Sequence, residues 1–123
     1  MAFSAIYDAC VLYPFSVRDI LMVAARTRVF NLFWTDAILD EFTRNLIKDN
    51  KATESGMNKL VEDMKRLYPT ATVPLSDYEA LIPVMTCDSK DRHVLAAAVA
   101  RGVDVIVTRN INDFSPESLE PYN

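Results

Sequence analysis

Glycine is scarce in this chain, with two residues in 123. That leaves little material for a glycine-rich phosphate cradle or a long flexible linker. No apolar run approaches the roughly 20 residues needed to span a bilayer. The opening MAFSAIYDACVLYPF has neither a basic n-region nor a small-x-small cleavage site, so no signal peptide or membrane segment is read and a cytoplasmic location is expected. Only Cys10 and Cys87 carry thiols. Without an oxidising compartment they do not pair, and they lack the C-x-x-C or Cys/His spacing of a zinc site. Both are read as small buried hydrophobes. His93 is the single histidine, and a lone histidine is read as a packed or surface residue before it is read as a ligand. Positive charge is not in excess either: 13 Lys and Arg stand against 17 Asp and Glu, a net charge of −4. That argues against holding nucleic acid through clustered Lys and Arg. It leaves open a route in which acidic side chains bind divalent cations and the cations meet the phosphate.

What is present is the balance of an ordinary globular protein, half apolar and 24% charged, at a length suited to one domain over residues 1–123. No repeat or low-complexity tract is visible. Strands are expected at Phe3–Asp8, Val29–Trp34, Thr72–Leu75 and Val103–Thr108 (VDVIVT). Helices are expected at Val17–Arg26 after the Tyr13-Pro14 break, from a Thr35 or Asp36 cap to about Lys48, and over Thr53–Tyr68. In the last of these Met57, Leu60, Val61, Met64 and Leu67 recur at helical spacing and define an inward face. A further helix over Ser89–Arg101, almost wholly apolar from Val94 to Ala100, is closed by Gly102, and Ser115-Pro116 starts a last short one. Strands alternating with helices imply an α/β fold with a mostly parallel sheet covered by helices. In such sheets ligands bind beyond the carboxyl ends of the strands.

Four acids converge on that edge in this reading. Asp8 ends the first strand, and Asp113 follows the Val103–Thr108 strand. Asp91 starts the helix leading into that strand, hence on the same edge. Glu41 borders the face that Ile38, Leu39, Phe42 and Leu46 turn inward, whereas Asp40 points to solvent. Four carboxylates in a small volume repel one another unless cations neutralise them. Oxygen ligands without His or Cys suit Mg²⁺ or Mn²⁺, and metals so held promote phosphodiester hydrolysis. Each acid also has a plainer role. Asp8 and Asp113 can satisfy turn N–H groups. Asp88 is read as an N-cap, with Asp91 three residues on as a second cap, and Glu41 can be a solvated acid early in a helix. Arg44 and Arg109 lie near the same edge, where they could touch phosphate, and are read first as solvated.

The string D-S-K-D-R-H-V-L-A-A-A-V-A-R-G-V-D-V-I-V-T-R-N-I-N-D-F, from Asp88 to Phe114, resembles the central signature of PIN domains, which include VapC-like toxin ribonucleases. I-Y-D-A-C-V-L-Y-P from Ile6 to Pro14 resembles the family's first strand and its aspartate, and T-D-A-I-L-D-E-F from Thr35 to Phe42 places Glu41 at the family's glutamate. The resemblance implies a three-layer α/β/α sandwich. It also implies an acidic set of Asp8, Glu41, Asp91 and Asp113, with Thr108 and Asn110 in support, binding Mg²⁺ or Mn²⁺. Activity would be endonucleolytic cleavage of single-stranded RNA by activated water, leaving a 5′-phosphate. The protein would be the toxin of a type II toxin–antitoxin pair, with a cognate antitoxin partner and a tendency to form homodimers. Many relatives carry aspartate where Asn110 stands, and relatives usually continue with another strand after a segment like Leu119–Asn123. A sheet lacking that C-terminal strand, and a catalytically degenerate binding module acting through a protein partner, are therefore the alternative. A dehalogenase-like phosphatase is set aside, since its D-x-D-x-[TV] would need a second acid where Cys10 stands.

Overall fold

A computed structural model of the chain describes residues 3–109, 113–119 and 121. Three strands form a parallel sheet in the order β2-β1-β3: β1 at Phe3–Tyr7, β2 at Phe30–Phe33 and β3 at Val105–Val107. β1 is central, and from Ser4 to Tyr7 it is buried on both faces, as expected of a strand with helices above and below. Seven helices accompany the described sheet: α1 (Ala9–Leu12), α2 (Phe15–Arg26), α3 (Asp36–Lys48), α4 (Glu54–Leu67), α5 (Leu75–Tyr78), α6 (Arg92–Arg101) and α7 (Pro116–Leu119). α1 packs on α2 and α3, and α3 on α4, while α6 packs on α5 and β3. The result is a three-layer α/β/α sandwich with a parallel centre.

Local chemistry accounts for the boundaries. Thr35 caps α3, its hydroxyl accepting the Ile38 N–H at 3.0 Å, and Thr53 does the same for α4 through Gly56 N–H at 3.1 Å. Gly102 ends α6 at φ +67°, a conformation that glycine adopts without a Cβ penalty. Ile38, Leu39, Phe42 and Leu46 are all buried, as α3's periodicity requires, and the α6 run Val94–Ala98 is buried throughout. Tyr68 and Tyr7 tie α2 down, donating to the carbonyls of Met22 (2.8 Å) and Leu21 (3.0 Å).

Three expectations are corrected. Thr72–Leu75 is not a strand: a single parallel bridge joins Thr72 to Trp34, and Pro74, which has no N–H to donate, turns the chain into α5. Leu67, the last residue of α4, is 65% exposed rather than inward. The Ser89–Arg101 helix is two pieces, a 3₁₀ turn at Ser89–Asp91 followed by α6. No described helix is long and apolar enough to cross a membrane.

Candidate metal centre

The carboxyl ends of β1 and β3 open side by side, and each strand delivers one residue to the same place. Asp8 follows β1 and Thr108 follows β3. The Thr108 hydroxyl donates to Asp8 Oδ2 at 2.9 Å, while Asp8 Oδ1 accepts the Ala9 N–H at 2.7 Å as the cap of α1. Asp8 is 2% exposed. Its carboxylate is therefore fixed in orientation by one backbone and one hydroxyl donor, and the turn-anchoring role considered from sequence is visible alongside its place at the edge.

The 3₁₀ turn brings in two more acids. Side chains three apart eclipse in a 3₁₀ helix, so Asp88 and Asp91 share one side. Asp88 caps Lys90 N–H at 3.0 Å. Asp91 stands at the N-cap of α6 but makes no capping hydrogen bond with its side chain. The alternative in which Asp91 merely caps is thus not what the fold displays. Asp113 arrives from the segment after β3, pinned by the buried Phe114 and by its carbonyl, which accepts the Asp88 N–H at 3.0 Å. Ligand oxygens of Asp88, Asp91 and Asp113 lie within 4.8 Å of one another. Burial first, then the hydrogen bond to Asp113 and the charges of Asp8, Asp113 and Asp88, push the Asp91 carboxyl up to about 7. It is a carboxylate crowded by carboxylates.

Glu41 takes a different position. Half-buried on α3, it has its carboxylate 3.8 Å from His93 Nε2, and it is not among the grouped oxygens of the described residues. It lines a cavity of about 500 Å³ together with Ala9, Cys10, Tyr13, Asn45 and Arg109. Asn110 lies outside the described residues. Arg44 is paired with Asp40 at 2.8 Å on the solvent side of α3.

Two residues were undervalued from sequence. Asp88 was assigned to capping alone, although D-x-x-D on a 3₁₀ turn aligns both acids. Cys10 is not a buried hydrophobe: it is half-exposed, and its thiol lies 3.6 Å from Asp8 Oδ2 and 3.3 Å from Thr108 Oγ1 while accepting the Arg109 N–H at 3.2 Å. The short helix α1, which turns residue 10 back over the strand end, gave no periodic signal in four residues. Cys87 is buried as expected, 4% exposed.

The family model for the PIN domain matches residues 4–112. The chain belongs to the PIN domain family. Among curated proteins it is 51% identical over 45 residues to one named "Putative ribonuclease VapC50" from Mycobacterium tuberculosis (strain ATCC 25618 / H37Rv). That match covers 37% of this chain and 27% of the relative's length. No solved structure matches. The PIN family assignment and the parallel α/β/α architecture agree with each other. The donor set fits a hard divalent cation: the grouped ligands are all carboxylate oxygens, and burial with neighbouring carboxylates raises the pKa of one of them, Asp91.

Proposed function

We propose that this PIN domain is a divalent-cation-dependent endoribonuclease acting on single-stranded RNA, the toxin of a toxin–antitoxin pair working in the cytoplasm. The observation that carries the reading is the cluster of Asp88, Asp91 and Asp113 beside Asp8 at the carboxyl ends of parallel strands. The word ribonuclease in the matched relative's name supports the RNA substrate, and the resemblance to VapC-like toxins supports the antitoxin partner and homodimer formation. Asp8, Asp91 and Asp113, joined by Asp88, would hold Mg²⁺ or Mn²⁺. When bound, such a cation lowers the pKa of a coordinated water and offsets charge on the phosphoryl oxygens.

The chain's own residues do the rest. The Thr108 hydroxyl and the Ala9 N–H keep the Asp8 carboxylate in one orientation. The Asp88 N–H, donating to the Asp113 carbonyl, links the two backbone segments that carry these acids. Glu41, which lines a cavity with Ala9 and Cys10 and has its carboxylate 3.8 Å from His93 Nε2, would accept a proton from the attacking water. Asn110 supports the site by the same resemblance.

The test is cleavage of a single-stranded RNA with Mn²⁺, with EDTA, and in Asp8→Asn. Cleavage that needs Mn²⁺, stops with EDTA and falls at least about 100-fold in Asp8→Asn is the expected result. Full activity in EDTA or in Asp8→Asn sinks the assignment. Failure of the wild-type protein both to cleave and to bind Mn²⁺ at millimolar concentration would leave a PIN fold serving as a protein-binding module.

A further inference from the structure

We propose that the cavity beside Asp8 is a nucleotide subsite, which receives one base of the RNA next to the acidic centre. The inference rests on the nuclease reading and deepens it by assigning where the substrate is gripped. At about 500 Å³ the cavity falls in the range of small-ligand sites. Its position ties it to the chemistry: Ala9 and Cys10 directly follow Asp8, and Arg109 directly follows Thr108, whose hydroxyl holds Asp8. Beside the Glu41 carboxylate, its lining carries aromatic, amide and guanidinium side chains suited to a nucleotide. Tyr13 offers an aromatic surface, the Asn45 amide offers both donors and an acceptor for a base edge, and the Arg109 guanidinium offers paired donors to a phosphate. Glu41 and Asn45 are four residues apart on α3, so one helix face presents both.

The Tyr13 ring is also fixed in advance. Its hydroxyl donates to Asp49, and the Lys51 ammonium lies 5.3 Å from the ring centroid. That arrangement limits the ordering cost of stacking and adds a cation to a chain whose net charge is −4. A site for a free anion would need neither the amide nor the ring.

The experiment reads binding, not cleavage. Fluorescence anisotropy in EDTA compares 5′-labelled tetranucleotide RNAs of each base composition on wild-type, Asn45→Ala and Arg109→Ala proteins. Asn45→Ala is expected to flatten the preference among bases, and Arg109→Ala to weaken all four RNAs about tenfold alike. Both positions are outside the buried core, so the variants should fold, and Arg66→Ala, an exposed arginine that does not line the cavity, serves as the unaffected control. Wild-type affinity and base preference in both variants would overturn the subsite, as would no RNA binding by the wild-type protein. A protein that binds in the expected manner yet never cleaves with Mn²⁺ loses the nuclease reading and keeps the subsite. One that cleaves while both variants bind as wild type loses the subsite alone.

Discussion

The two ends of the β1–β3 pair treat an aspartate in opposite ways. At the amino end, Asp104 Oδ2 accepts the Ser4 N–H at 2.8 Å and the Ser4 hydroxyl at 3.1 Å, while its own N–H reaches the Ser4 carbonyl at 3.1 Å. The Ser4 N–H and hydroxyl both donate to this carboxylate, which acts as a fastener. At the carboxyl end, Asp91 faces Asp113, Asp8 and Asp88, and its pKa rises to about 7 instead. Charge type is identical and environment decides. A carboxylate met by neutral donors serves to join two strands, whereas one met by other carboxylates calls for a proton or a cation.

The comparison is broken most strongly by exchanging acid for amide at each end. Asp91→Asn should abolish Mn²⁺ binding by calorimetry and cut RNA cleavage about 100-fold or more, while Asp104→Asn should leave the heat of Mn²⁺ binding unchanged. Equal Mn²⁺ binding by wild-type and Asp91→Asn proteins would erase the distinction. Next comes stability. Asp104→Ala removes charge-assisted hydrogen bonds that are partly exposed, and should cost about 1–2 kcal/mol in urea unfolding with normal cleavage per folded molecule.

A smaller effect follows from pH. Asp91 is raised from 3.8 to about 7 in the fold, so the folded state binds the proton more tightly than the unfolded chain. Its contribution to stability is full below about pH 4 and disappears as pH rises towards about 7. In EDTA, the melting temperature of the wild-type protein should therefore fall relative to Asp91→Asn across that window, and saturating Mn²⁺ should reverse the difference near neutrality. Parallel curves for the two proteins would contradict this. The smallest effect is at the solvated pairs: Asp63 meets Lys59 at 3.2 Å and Arg66 at 2.8 Å on the surface of α4, and Asp63→Ala should shift stability by less than about 1 kcal/mol in the same assay.

How much of this was legible in sequence depended on whether a periodic element carried the residue. The inward face of α3 and the buried α6 run followed from spacing. So did the location of Asp91, since a helix feeding a parallel strand begins at that strand's carboxyl edge. Asp8 and Thr108 were readable as strand-end residues, although the hydroxyl-to-carboxylate contact needed both strands in register. Asp88 was hidden by a 3₁₀ turn of three residues, too short to leave a pattern, and Cys10 by the four-residue α1. Glu41 was placed on the correct border of its helix, but spacing within α3 could not show that His93, 52 positions further on, would be the group facing it. Leu67 marks the opposite error, because periodicity identifies an apolar face and not whether its last residue is covered.

The backbone bond from the Asp88 N–H to the Asp113 carbonyl, described above at 3.0 Å, makes the acidic loop a latch. The residues carrying two of the grouped carboxylates are joined by main chain, so side-chain substitutions there leave both partners of the clasp in place. The Asp88 amide proton is consequently a built-in gauge of site assembly. Its exchange with deuterium will slow whenever anything, ion or nucleic acid, keeps the latch shut.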